Sequence, residues 1–245
     1  MALNVPATGT SREEAIEHCV QVIEAGSTQE RYDILPEISI LRDQRFLAPL
    51  LEVLRTGGRK DKEFAALALG ALERTESLEV LYLALTDAQN HKGPGTQSLQ
   101  TAIIVAMGEI GKDSAVDYLR KSVDFTFRGD TFFKGRQRLI LSAAGYIAQQ
   151  GGRQALEFLK EFLTGEDQEM RAHALNELAV AYWHRPNEVP DDILYALFLL
   201  MRDVSAEVRS AAIASITNLA DLGCSRAEQY LEEPRTGAWR TINAQ

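Results

Sequence analysis

Only two cysteines, Cys19 and Cys224, occur among the 245 residues. Thiols so few and so far apart suggest neither a disulfide framework nor a zinc cluster, and they suit a reducing cytoplasm. Long apolar runs are missing too. The longest, Ile193 to Met201, falls far short of the roughly 20 residues that a membrane span needs. Met1 to Ser11 lacks a basic region followed by an apolar one, so no secretory signal is expected there. Basic charge is also in short supply. Lys and Arg number 26 against 35 Asp and Glu, for a net charge of -9, which argues against wholesale nucleic-acid binding. The apolar share of 45% rules out wholesale disorder.

Catalytic signatures are missing as well. Gly93-Pro94-Gly95 is followed by no Gly-Lys-Ser/Thr and preceded by no strand pattern, so it is not a phosphate loop. Gly-x-Ser-x-Gly, His-Glu-x-x-His and Cys-x-x-Cys do not occur. His173, between Ala172 and Ala174, reads as a core or seam histidine. Trp183-His184-Arg185-Pro186 reads as a helix stop that lays Trp183 over the next repeat. Cys19 shares an apolar helical stripe with Ile16, Val20 and Ile23 and behaves as a small hydrophobe. No cofactor or metal site is expected.

What the chain does have is a repeat. A run of small and apolar residues recurs as Ala65–Leu72, Ile103–Gly111 and Ile140–Ile147, with looser copies at Ala174–Ala181, Ala212–Leu219 and Ile34–Leu41. Its small-residue slot falls on Ser39, Gly70, Gly108, Gly145, Ala179 and Thr217, spaced 31, 38, 37, 34 and 38 residues apart. A period of that size is one supersecondary unit with room for two helices. A glycine in mid-helix disfavours the helix by up to about 1 kcal/mol, so the slot is expected to mark a seam where a neighbouring helix approaches closely.

Apolar residues at i, i+3, i+4 and i+7 and the absence of strand-like alternation make the repeat helical. Ser11 and Glu14 form a capping-box pattern at the first helix. Gly26, Gly57-Gly58, Gly151-Gly152, Gly165 and Gly223 fall where helices should stop. The spacing predicts a leading helix over 11–25. Helix pairs follow at 28–41 with 44–56, 60–74 with 77–88, 97–111 with 114–123, 131–150 with 153–164, 167–183 with 190–202, and 205–222 with 225–232. The expected fold is all-α: a right-handed α-solenoid of about six hairpins plus the extra N-terminal helix. It forms a single domain over 11–232, between a flexible 1–10 and a tail at 233–245. A generic helical bundle is the alternative, although a bundle needs no fixed period.

At these residues the sequence resembles the HEAT-repeat family, in particular the short bacterial HEAT-like repeats of the phycobilisome-lyase type. Met170-Arg171 and Val208-Arg209 match that repeat's opening apolar-Arg pair, and Ala106-Met107-Gly108-Glu109-Ile110-Gly111 matches its closing run. The Gly145 copy has Arg136-Gln137 in place of the opening pair, and the leading copy carries Pro36 inside its helix. The resemblance covers about residues 28–223 and implies a fold more than a function. The wider class includes an iron-dependent hydroxylase that binds metal through His-Glu pairs. None of His18, His91, His173 and His184 is followed by Glu, so that activity is not expected.

The resemblance also implies that the second helix of each pair lines a concave binding surface. Helical projection puts on the exposed arcs Glu52 and Arg55, Glu79 and Tyr82, Asp117 and Lys121, Glu157 and Lys160, and Tyr195, Phe198 and Arg202. Tyr and Arg dominate protein-binding hot spots, so this set reads as a protein-binding groove. The segment 123–138 is a second candidate. It holds four Phe within nine residues, and Arg120 to Arg138 carries a net +4. Arg128, Lys134, Arg136 and Arg138 there read as a possible anion-binding set for phosphate or single-stranded nucleic acid. The alternative is a long connection whose phenylalanines tuck inward. The polar 87–96 segment reads as a mobile, solvated loop.

The expectation is a cytoplasmic, non-enzymatic scaffold for a protein partner, with nucleic acid unlikely and no membrane. The rivals are an enzyme or accessory subunit such as a chromophore-lyase-like protein, and anion binding through the 123–138 loop.

Overall fold

Helix ends in this chain are set by local caps. The computed structural model describes residues 11–93, 95–127 and 129–236, the side chains of 88, 89 and 233–236 excepted. Residues 1–10, Arg128 and the tail from Gly237 on, with Trp239, lie outside the described residues. Helix α1 (Arg12–Ala25) opens on the expected capping box, Glu14 N–H donating to Ser11 Oγ at 3.2 Å and Ser11 N–H to Glu14 Oε2 at 2.7 Å. A second box, Ser27 with Glu30, starts α2 (Thr28–Asp33). The expected single helix over 28–41 is in fact two, α2 and α3 (Leu35–Leu41). Pro36 has no N–H to give the preceding turn, so it sits at the start of α3.

The remaining helices are α4 (Leu47–Thr56), α5 (Arg59–Ala71), α6 (Leu78–Thr86), α7 (Thr96–Ile110), α8 (Asp113–Val123), α9 (Phe133–Gln149), α10 (Arg153–Phe162), α11 (Gln168–Val180), α12 (Asp191–Leu200), α13 (Ala206–Asp221) and α14 (Ser225–Thr236). The described residues contain no strand, and no helix among them is long and apolar enough to cross a membrane. The 87–96 segment is not wholly solvated. It carries a 3-10 helix, Ala88–His91, in which buried Asn90 donates to Ala84 O at 2.8 Å and accepts from Lys62 at 3.0 Å.

The chain divides into two compact units between Ile110 and Gly111, and each is an all-α stack of helical hairpins in the α-solenoid manner. In the first unit α3, α5 and α7 form one layer and α4 and α6 the other; α5 packs most extensively on α7. In the second unit α9, α11 and α13 form the first layer and α8, α10, α12 and α14 the second. A second-layer helix lies against the first-layer helix that follows it: α4 on α5, α6 on α7, α8 on α9, α10 on α11 and α12 on α13. The core of each unit lies between its layers and includes Ile16, Phe46, Phe64 and Ile103 in the first, and Ile140, Phe158, Leu175 and Ile216 in the second.

At Gly70 and Gly145 the small-residue slot is a seam. A Cβ on Gly70 would lie 2.8 Å from the Cα of Ala106 on α7. A Cβ on Gly145 would run into the Glu177 carboxylate of α11 and lie 3.0 Å from its Cβ. Glu109 covers Gly70 as Glu177 covers Gly145. Burial, together with the charge of Glu73, raises the carboxyl of Glu109 above its ordinary value.

Arginines tie one hairpin to the next. Arg31 donates to Ile23 O (3.0 Å) and Glu24 O (3.4 Å) and pairs with Asp61 at 2.8 Å. Arg171 donates to Gly165 O (2.7 Å) and Glu166 O (2.9 Å) and pairs with Asp203 at 3.0 Å. Arg209 reaches Asp203 O (2.7 Å) and Val204 O (3.0 Å). Carbonyls that a helix end or a link leaves unpaired are thereby satisfied by a charge-assisted donor.

Two outcomes test the seam. Gly70→Ala should lower stability by about 1–3 kcal/mol through overpacking, although alanine is the better helix former. Urea unfolding reads the sign, and a gain in stability would contradict the close approach. Glu109→Gln addresses the raised carboxyl. An acid whose folded value lies above its unfolded one costs the fold stability as pH rises through that window. The variant should therefore gain on the parent at neutral pH, with the gap closing as pH falls below the unfolded carboxylate value; thermal unfolding across pH measures it.

Candidate functional site

The residues expected on exposed arcs fall on the second-layer helices. In the first unit, Glu52 and Arg55 are exposed on α4 and lie 3.9 Å apart. Glu52 lines a cleft of about 410 Å³ with Arg31 and Pro49, and Arg55 lines another of about 320 Å³ with Lys62, Val80 and Leu83. Glu79 is exposed on α6 and Tyr82 half-buried. Leu83, which the projection missed, is the large apolar side chain standing out from this helix.

In the second unit, Asp117 and Lys121 are exposed on α8, with the Lys121 ammonium 5.2 Å from the Tyr118 ring centroid. On α12 the projection was rotated. Phe198 is 1% exposed, its ring 4.9 Å from that of Tyr230 on α14, so it belongs to the core and not to a binding face. Ile193, Leu194, Leu197 and Phe198 form the inward side. What faces outward is Tyr195 (43% exposed), Leu199 (48%) and Arg202, whose guanidinium lies 5.7 Å from the Phe198 centroid. Leu199 sits one helical turn from Tyr195, so the two make a continuous apolar strip bordered by Arg202.

Glu157 and Lys160 are brought together with groups that the sequence did not single out. They line a cleft of about 320 Å³ between α10, α12 and the 181–190 link, with Arg153, Tyr182, Arg185 and Asp192. Lys160 holds Glu157 and Asp192 at 2.8 Å each. Burial works to lower the Lys160 ammonium, and its bonds to Asp192 and Glu157 more than reverse this, so it stays charged. Burial pushes the Tyr182 hydroxyl above its ordinary value, which keeps it a neutral donor. Arg185 donates to Ala148 O (3.2 Å) and Gln149 O (3.4 Å), closing the end of α9. Ion pairs run from one second-layer helix to the next: Arg120 with Glu161, Lys160 with Asp192, and Arg226 with Asp191.

The basic loop is built differently from the anion site expected of it. Arg136 is fully buried. It donates to Phe125 O and pairs with Asp130 at 2.6 Å, beneath the rings of Phe125, Phe127 and Phe133 at 5.6–5.7 Å. No ligand reaches it, because the loop is folded over it. Lys134 pairs with Asp167, and Arg138 with Glu169 at 3.0 Å. Arg128 lies outside the described residues. The phenylalanines are half-buried, three of them set around Arg136, and Lys134 and Arg138 are met by carboxylates of the next helix.

One cluster has the residue types of a nucleophilic triad without its geometry. Ser142 Oγ lies 2.9 Å from His173 Nε2 and donates to Glu177 Oε1 at 2.7 Å. His173 Nε2 also lies 3.1 Å from Arg138 O and 3.4 Å from Glu177. A working triad places the acid on the other ring nitrogen; here one nitrogen serves every partner, so the group ties α9 to α11. Trp183, expected to lie over the next repeat, keeps 45% of its surface exposed. Cys19 is buried, and its thiol is pushed up to about 11, by burial first and then by Glu37. Among the described residues no group of three His, Cys, Asp or Glu could hold a metal ion.

No family model matches the chain, and no curated protein matches it in sequence. Solved structures with some likeness include an engineered protein from the Northeast Structural Genomics Consortium, at 16% identity and a TM-score of 0.44, covering 85% of this chain and 98% of that one. Human deoxyhypusine hydroxylase in complex with glycerol is another, at 16% identity and a TM-score of 0.37, covering 85% of each chain. Superpositions this loose, at this identity, carry no activity from one chain to another.

Replacing Arg136 by Met should destabilise the second unit by about 3–5 kcal/mol, because the Asp130 charge stays buried without its cation. Adding Asp130→Asn should recover part of the loss. Denaturant unfolding of both variants measures this; an Arg136→Met chain as stable as the parent would free the loop for ligand binding after all.

Proposed function

We propose that this chain is a non-catalytic scaffold of HEAT-like repeats that binds a protein partner along its second-layer helices. The observation that carries the reading is the outward strip of α12. There Tyr195 and Leu199 keep nearly half of their surfaces in water beside an exposed Arg202. Large apolar side chains presented together with Tyr and Arg are the composition of a binding hot spot. The resemblance to HEAT repeats supports the choice of layer, since in that family the second helices line the binding surface. The two free, buried thiols support a cytoplasmic setting. The pairing of Lys134, Arg136 and Arg138 weighs against an anion-binding loop.

Affinity capture from the native cell compares the parent with a Tyr195→Ala, Leu199→Ser double variant. Each hot-spot truncation removes at least about 1 kcal/mol of binding, so retention of the partner should fall tenfold or more while the unfolding midpoint stays put. Equal retention by the two chains would count against this face, and loss of partner together with loss of fold would be resolved by Leu199→Ser alone, at a side chain 48% exposed.

A further inference from the structure

The cleft beside α12 is graded in charge. Its deepest polar group is Tyr182, 4% exposed, whose hydroxyl makes no hydrogen bond among the described residues. The charges acting on that hydroxyl are those of Arg185, Asp192, Lys160 and Glu188, all cleft residues, so it faces the cleft space. Lys160 and Arg185 keep about a quarter and a third of their side chains exposed, whereas Glu157, Glu188 and Asp192 are mostly in water. Tyr182, Lys160 and Arg185 therefore lie deeper than the carboxylates, which stand at the rim. Arg153 is exposed at the mouth and makes no ion pair among the described residues. Leu156 and Ile193 supply apolar wall.

The Tyr182 hydroxyl, open to the cleft, keeps its bonding capacity for whatever enters there. A neutral phenol, a spare guanidinium and a charged ammonium all donate, and the acceptor that suits them best is a single carboxylate. A multiply charged phosphate would meet three carboxylates on the way in. A carboxylate with a cation beside it meets both zones correctly, its anion below and its cation at the rim. The volume of about 320 Å³ lies at the small end of the range for ligand sites and has room for one long side chain.

We propose that this cleft receives one glutamate side chain of a partner segment that also carries a basic residue close by. The carboxylate bonds to Tyr182 and Arg153, and its aliphatic stem lies against Leu156 and Ile193. This rests on the reading of α12 as a partner-binding face, because Asp192 and Tyr195 are neighbours on the same helix, and it names the chemistry of what binds there.

The test uses the full chain and methyl NMR signals of Ile193 and Leu156. The probe is the blocked peptide acetyl-Lys-Glu-Leu-Lys-amide, compared with the same peptide carrying Gln for Glu and with sodium glutarate. The glutamate peptide should shift both methyl signals saturably and at least about tenfold more tightly than the glutamine peptide, as hydrogen bonds to a charged group require. Tyr182→Phe and Arg153→Gln remove a hydroxyl and a guanidinium that make no hydrogen bond or ion pair among the described residues, so both variants should fold as the parent does and each should weaken the peptide several-fold. Equal binding of the two peptides, no response to either, or a response unchanged in both variants overturns the proposal. Glutarate binding as tightly as the glutamate peptide assigns the cleft to a free dicarboxylate and overturns the partner assignment. If the Tyr195→Ala, Leu199→Ser chain loses its captured partner while the peptides leave Ile193 and Leu156 unmoved, the α12 face stands and the cleft proposal alone fails.

Discussion

The structure depends on guanidinium groups that reach backbone carbonyls left over between helices. A stack of short helices creates many such carbonyls, because every helix ends with C=O groups that its own turn does not use. Arg136, Arg171 and Arg209 each fold back onto the link before their own helix, Arg31 folds back onto the end of the preceding helix, and Arg185 and Arg226 do the same for the ends of other helices or links. Three of the first four, Arg31, Arg136 and Arg171, also hold an aspartate. Asp203 shows how this holds a charge in place. Burial works against its carboxylate, but Ser205 N–H and Arg171 together keep its carboxyl below the ordinary value. An arginine in such a position is part of the framework and is lost to any ligand.

That distinction decides what the surface can do. The segment 123–138 has the composition of an anion site, yet its central cation is the staple of its own hairpin. Arg136 stands 35 residues before Arg171 and 73 before Arg209, in step with the repeat. The neighbouring cations are taken by Asp167 and Glu169, which open the next first-layer helix. Excess charge along a sequence therefore says little about free charge in a repeat fold, where the next hairpin brings matching carboxylates at a fixed distance. Groups that escape this pairing, such as Arg153 and the Tyr182 hydroxyl, are the ones with bonding capacity to spare.

Much of the architecture was legible in advance because it rests on local rules. Capping residues, glycine stops and the period of the small slot located the hairpins, and Gly70 and Gly145 prove to be the close approaches their type suggested. The break between α2 and α3 was not foreseen, although Pro36, read as lying inside one helix over 28–41, is what marks it. The site was less legible. Phe198 and Leu199 are adjacent, and a projection that is off by one residue exchanges core for surface. Which of the two is buried was settled by Tyr230, a partner on another helix and 32 residues away. Tyr182 and Arg185 carried no signal, since their place in a cleft follows from how a link crosses between layers. The two roles of arginine were hidden for the same reason: Arg136 and Arg153 look alike until their distances to carbonyls are known.

The seam and the face answer opposite demands. Where first-layer helices meet, Gly70 and Gly145 remove volume so that backbones approach, and glutamates from the neighbouring helix close the gap. At Glu177 the arriving charge is met by Ser142 and lies near His173. At Glu109 it faces Glu73 and its burial is unfavourable. The second layer has no such constraint on its outer side. Lys160 can join α10 to α12 through Asp192 and still leave Tyr195 and Leu199 standing in water one turn further on. Packing between hairpins is thus confined to one side of each second-layer helix, and recognition is left to the other, where a change of side chain alters what is bound without altering how the repeats stack.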